Sequence, residues 1–169
     1  MKVKIIQIKN GEFIDAEIRE GIDYKLPKPE DGWKFDFENF SKGTNNYVYV
    51  LCKDDDHSII EGCLIFKLIN NSQPTMAYIE VAPHNKGLEK IFDSVGACLI
   101  AFACKLSFQH GKLNHKGWLA FTVQEENPED QKKIMALYKR KYFAKKLTNT
   151  AMIIHPADGE KLIKKYLEI

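Results

Sequence analysis

Hydrophobic and polar positions divide the chain into two regimes. Up to Pro83 the apolar residues are β-branched or aromatic and come in short runs: Val3 to Ile8, Tyr47 to Cys52, Ile59 to Ile69, and Thr75 to Val81. Runs of that length and composition predict strands. The charged, turn-prone segment Lys53 to Ser58 and the polar turn Asn70 to Pro74 separate the last three, which predicts antiparallel neighbours in a meander. Between Phe13 and Ile22, Ile14, Ile18 and Ile22 recur every four residues, and that spacing predicts a helix. Trp33, Phe35, Phe37 and Phe40 alternate and then shift, as expected of a segment that packs the N-terminal region onto the core. They are also candidates for a wall of a ligand pocket.

From Ser94 the period changes. Val95, Leu99, Phe102, Ala103 and Leu106 form a helical stripe with Ser94 as its predicted N-cap. Gly96, Ala97, Ala101 and Ala103 keep this helix narrow enough to lie close on a sheet. A strand follows at Gly117 to Val123, then a helix over Pro128 to Tyr142 that opens on proline and acidic residues. A strand near Ala151 to His155 and an amphipathic helix with Leu162, Ile163, Tyr166 and Leu167 close the chain. The expected architecture is α/β (α+β): a mixed, mostly antiparallel sheet flanked by helices.

Composition narrows the picture without naming a function. The 169 residues are expected to form one domain over 1–169, with an irregular part at 1–45 and a core at 46–169. The 44% apolar and 28% charged content argues against a disordered or fibrous chain. No secretory signal is legible, and the longest apolar stretch is about half the ~20 residues that cross a bilayer, so no membrane role and a cytoplasmic location are expected. Cys52, Cys63, Cys98 and Cys104 form no Cys-x-x-Cys pair and read as reduced core thiols. His57, His110, His115 and His155 show no ligand spacing, so no metal is expected. The net charge of +2 hides an asymmetry: residues 1–83 carry 10 basic and 14 acidic groups (10 − 14 = −4), residues 84–169 carry 15 and 9 (15 − 9 = +6). That balance, without a basic-aromatic strand face, gives no reason to expect nucleic acid as a partner.

The chemistry concentrates in YIEVAPHNKGLEKIFDSVGACLIAFACKLS, residues 78–107. A strand feeding a helix through Ser94-Val95-Gly96-Ala97 presents backbone N–H groups at the positive helix end, where a phosphate can be held. With the APHN segment, the GWLAFTV strand, the LYKRKYF helix and the MII strand in this order, the stretch from Tyr47 to Leu167 resembles the GCN5-related N-acetyltransferase superfamily. It is most similar to bacterial acetyltransferase-like proteins with an APHN segment, a VG-x-x-L-x-AFAC helix and a C-terminal LI-x-KYL.

The resemblance implies that fold, acetyl-CoA as co-substrate, and transfer of its acetyl group to a primary amine by direct attack. The acceptor would be a small molecule or a protein, and the chain a monomer or homodimer. Cofactor contacts fall on Val81, Lys90, Ser94, Val95, Gly96 and Ala97, with Lys86 as a further source of positive charge. The family's phosphate loop, Gln/Arg-x-x-Gly-x-Gly/Ala, maps onto Ile91 to Gly96, where only Gly96 matches. Glu80 on the fourth strand is the candidate base, and Tyr138 in the Leu-Tyr-x-x-x-Gly-Phe-like segment Leu137 to Phe143 is the candidate acid; Tyr142 stands where glycine is usual. The family's frequent asparagine seven residues before that tyrosine is Gln131. For these residues the bland alternatives are an ion pair for Glu80, core packing for Tyr138 and a solvated loop position for His84, which could otherwise be a base. The departures in the loop also fit a non-catalytic interaction or acyl-CoA-binding module that has kept the fold and lost activity.

Overall fold

A computed structural model describes residues 1–168. Nine strands form one sheet. In chain order they are β1 (Lys2–Gln7), β2 (Phe13–Glu20), β3 (Asn46–Lys53), β4 (Gly62–Ile69), β5 (Gln73–Val81), β6 (Phe92–Asp93), β7 (Leu119–Thr122), β8 (Lys145–Lys146) and β9 (Ala151–Ile154). The helices are α1 (Phe37–Phe40), α2 (Val95–His110), α3 (Pro128–Tyr142) and α4 (Pro156–Tyr166). Strand order is β6-β1-β2-β3-β4-β5-β7-β9-β8, and every pairing is antiparallel except β5 with β7. A parallel neighbour requires a crossover, and α2 supplies it. The meander, α2, α3 and α4 therefore match the expected mixed sheet.

Phe13 to Ile22 is a correction. It contains strand β2, in which Ala16 and Ile18 are buried and Ile14 half-buried on one face. A four-residue spacing is also a multiple of two, so it fits a strand as well as a helix. Gly21 ends the strand against Val48, whose Cγ1 would lie 2.9 Å from an added Cβ. The N-terminal part read as irregular thus supplies two strands. The run from Ile59 begins as strand only at Gly62, and the two-residue strands β6 and β8 were too short to show a period.

Two apolar clusters lie on opposite faces of the sheet. The larger joins β1 to β5 and β7 with α2, α3 and α4; the smaller sets Leu26, Trp33 and Phe37 against Val50, Cys52, Cys63, Ile65 and Ala82. The aromatic segment thus covers the face opposite α2, as its alternation suggested. Helix α2 is buried almost all round, with Ala97, Ala101 and Ala103 at 1% exposure or less. Gly62 is required where it passes β4, since a Cβ there would lie 2.8 Å from both Leu99 and Val95 side chains.

The APHN segment is a brace. Pro83–Asn85 forms a 3-10 turn, and buried Asn85 donates from Nδ2 to Glu61 Oε2 (2.8 Å) and accepts at Oδ1 from the Phe92 N–H (3.0 Å). His84 Nε2 lies 2.6 Å from the same Glu61 oxygen. Glu61 is 1% exposed, so these partners are what make its burial tolerable. Replacing Asn85 by alanine should cost about 2–4 kcal/mol, because it leaves a buried carboxylate oxygen and a buried N–H short of a partner. Urea unfolding checks this; a loss below about 0.5 kcal/mol would show that the brace is dispensable.

Candidate functional site

The split between β5 and β7 creates the site. They pair only at Thr75–Ala120 and Met76–Phe121. Directly beyond, β5 carries a bulge: Ile65 faces Tyr78 and Phe66 faces Met76, so Ala77 is the extra residue. A bulge bends its strand and increases local twist. After it β5 stays with β4 and leaves β7, opening a cleft of about 250 Å³ lined by Met76 to Val81, Phe121 to Glu125, Lys34, Phe35, Lys86, Ile134 and Tyr138.

Glu80 and Tyr138, brought together from distant sequence, both line this cleft. Glu80 is 7% exposed. Its Oε1 accepts from the Lys34 N–H (2.7 Å) and the Lys86 ammonium, its Oε2 from the Phe35 N–H (3.0 Å). A carboxylate offers about two acceptor sites per oxygen, so Oε1 is filled and Oε2 keeps one. Glu80 therefore staples the aromatic segment to the sheet and still presents a lone pair. Tyr138 packs on Phe121 (4.9 Å between centroids) and Tyr142 (5.4 Å). Burial, with the nearby Glu125 carboxylate, pushes its phenol up to about 12, so it is a neutral donor at physiological pH.

The approach to α2, outside the cleft lining, is less regular. Phe92–Asp93 pairs with β1, and Phe92 is buried, so the segment expected to be an open phosphate loop is partly strand. Ser94 stands at the N-cap as expected, but it is left-handed (φ 69°) and its side chain makes no capping hydrogen bond. Its N–H donates instead to Asp93 Oδ1 (2.7 Å). Burial would raise the Asp93 carboxyl, but that N–H and the Lys90 ammonium (3.2 Å) outweigh it and hold it below the usual range. The N–H groups of Val95, Gly96 and Ala97 begin a helix and so have no intrahelical acceptor. Gly96 meets β5 at Val81: an added Cβ would lie 3.5 Å from Val81 Cγ1.

Other participants had no strong sequence signal. Lys34 pairs with Glu125 across the cleft mouth (2.8 Å). Gln131 braces the exit from β7, accepting from the Glu125 N–H (2.8 Å) and donating to the Val123 carbonyl. Glu61 was the readable one, an acid inside an otherwise apolar run. Glu17, Asp54 and His57 do approach one another, contrary to the expectation from spacing, but Lys2 bonds Asp54 (2.7 Å) and Arg19 lies 2.8 Å from His57. A groove of about 520 Å³ beside Gly21, Tyr24 and Tyr47 shares no lining residue with the cleft. Among the described residues no helix is long and apolar enough to cross a membrane.

No family model and no curated protein matches the sequence. Solved structures do, in 32 chains. The KacTA–DNA complex aligns at TM-score 0.61 with 14% identity over 89% of this chain and 99% of that one. A putative acyl-CoA N-acyltransferase from Klebsiella pneumoniae aligns at 0.54 with 16% identity over 82% and 95%. The Campylobacter jejuni N-acetyltransferase PseH in complex with acetyl coenzyme A aligns at 0.51 with 14% identity over 83% and 98%. This is the GCN5-related N-acetyltransferase fold. Within that fold, Glu80 and Tyr138 line the cleft of the split sheet together with Val81, whereas Lys90 and Ser94 to Ala97 lie outside its lining and approach it only where Gly96 meets Val81.

Proposed function

We propose that the protein is an acetyl-CoA-dependent N-acetyltransferase that moves the acetyl group to a primary amine by direct attack. The observation that carries this is the cleft between the diverging β5 and β7, with Tyr138 in one wall and Glu80 in the other. Past Met76 the β5 edge has lost its partner strand, so its backbone groups are placed to pair with an extended amide-bearing arm. The donors of Val95, Gly96 and Ala97, next to Val81, suit the pyrophosphate, with Lys90 adding positive charge.

An amine must lose a proton as it attacks, and the departing thiolate must be stabilised. Glu80 Oε2, with its remaining lone pair, takes the proton directly or through water, and Tyr138 donates to the sulfur. Calorimetry and thermal shift with acetyl-CoA test the cofactor: neither heat nor stabilisation at millimolar ligand would sink the proposal. Glu80→Gln should lower kcat about 10²-fold and leave cofactor affinity largely intact. Unchanged turnover would leave Glu80 only its stapling role.

Asp93 supplies a second check on the pyrophosphate position. Its carboxylate sits two residues before the first of the proposed donors and disfavours an anion there. Asp93→Asn keeps a side-chain acceptor for the Ser94 N–H and removes the charge, so acetyl-CoA should bind roughly 3–10-fold more tightly. Weaker binding would mean that the cofactor phosphates lie elsewhere.

A further inference from the structure

The cleft continues on the face opposite α2 into a chamber of about 630 Å³, with Phe35, Ala77, Tyr78, Thr122 and Gln124 common to both. Its wall is aromatic: Phe40 stacks on Tyr78 (centroids 4.3 Å apart, 18° between planes), and Phe35 meets Tyr78 edge-on at 5.2 Å. Its charge is set by one residue. In the cleft the four charged side chains cancel in two pairs, Lys34 with Glu125 and Lys86 with Glu80. In the chamber the single charged lining residue is Lys67. Among the described residues no ion pair includes it.

Lys67 lies on β4 opposite Thr75, half-buried, on the same face as Ile65. Because Ala77 is bulged, Thr75 and Tyr78 face β4 residues only two apart, Lys67 and Ile65, a span of about 7 Å. The Lys67 ammonium, the amide side chains of Asn39, Asn46 and Gln124 in the same lining, and a stacked aromatic wall shared with the cleft define the occupant. A polycationic amine finds no uncompensated carboxylate here. One ammonium with neutral amide donors fits a monoanion better than a phosphate dianion, which calls for several cations or bidentate arginines.

We infer that the acceptor is an amino acid in the broad sense: a primary amine joined by a flat or apolar spacer to a carboxylate, with Lys67 as the residue that selects the carboxylate. The inference rests on the acetyltransferase reading. The amine enters the cleft toward Glu80 Oε2, the spacer lies along Phe40 and Tyr78, and the carboxylate meets Lys67.

Three isosteres that differ only at the far end test this: 4-(aminomethyl)benzoate, its neutral benzamide, and p-xylylenediamine. Equilibrium binding by calorimetry or ligand-observed NMR requires no turnover, and acetyl transfer is followed in parallel by thiol release. The benzoate should bind, and react in kcat/KM, roughly tenfold better than the benzamide and better still than the diamine. Lys67→Met should bring the benzoate down to about the benzamide level, with a much smaller loss for the benzamide, and Lys67→Glu should favour the diamine. Lys67→Gln, with thermal unfolding alongside, guards against a variant that merely misfolds. Equal binding of the three probes, or preference for the diamine, with acetyl-CoA binding intact would overturn the selection of a carboxylate and leave the enzyme reading standing. Benzoate selectivity without acetyl-CoA binding would overturn the acetyltransferase reading, and with it the acceptor role of the chamber.

Discussion

Tyr138→Phe should lower kcat by about 10²-fold while acetyl-CoA affinity and thermal stability stay close to those of the parent. The ring is retained, so its packing on Phe121 and Tyr142 survives and only the hydroxyl is lost. The size of the effect follows from the acidity. A phenol held at about 12 stands about three and a half units above an ordinary thiol at about 8.5, so complete proton transfer to the sulfur is uphill by roughly 5 kcal/mol. On the proposed mechanism Tyr138 would act chiefly by hydrogen bonding to the developing thiolate, at the lower end of the 10²–10⁴-fold range typical of positioned acids. It should also give kcat no alkaline limb below about pH 11, since the phenol stays protonated there. A steady-state pH series on parent and variant checks both statements. A variant with parental kcat would return Tyr138 to core packing alone.

Stability should fall steeply above pH 9. The four cysteines are buried and unpaired, and burial pushes the thiols up from the ordinary 9.0: Cys52 to about 11, Cys98 and Cys104 to about 12, with Cys63 raised as well. Native thiols hold their protons where unfolded ones lose them, so the unfolded state binds fewer protons and stability decreases as pH rises. The contribution is complete below the unfolded pKa near 9 and disappears as pH climbs through the native values. At pH 11, Cys98 and Cys104 would each withdraw about 2–3 kcal/mol. Together that is comparable with the whole stability of many domains, about 5–15 kcal/mol. Urea titrations from pH 8 to 11 under reducing conditions measure it. Replacing Cys98 and Cys104 by alanine, at some cost at pH 8, should flatten the slope, and an unchanged slope would assign it to other groups.

Much of the fold was legible because the controlling forces are local. The runs Tyr47 to Cys52 and Thr75 to Val81 carry strand composition in themselves, and Pro128 to Tyr142 has its start and period written in consecutive residues. Phe13 to Glu20 was misread because Ile14 and Ile18 satisfy both periods, and pairing with β1 and β3 settled the matter. Ser94 was readable as the N-cap position, but not that Phe92–Asp93 pairs with β1, that Ser94 is left-handed, or that the Asp93 carboxylate accepts its N–H.

The site shows the same division. Glu80 and Tyr138 were nameable as a strand acid and a helix tyrosine, since each residue type announces its own chemistry. That Glu80 holds the Lys34 and Phe35 N–H groups was not, because those partners lie 45 and 46 residues away and backbone donors have no sequence signature. The APHN letters were visible and their role as a brace on Glu61 was not, for the same reason. The sequence by itself determined the strands of the meander and the helices α2, α3 and α4, because composition and period act over a few residues. Only the tertiary structure decided where β5 parts from β7, which charges cancel across the gap and that Lys67 has no counter-charge among the described residues, because those outcomes depend on contacts between elements far apart in the chain.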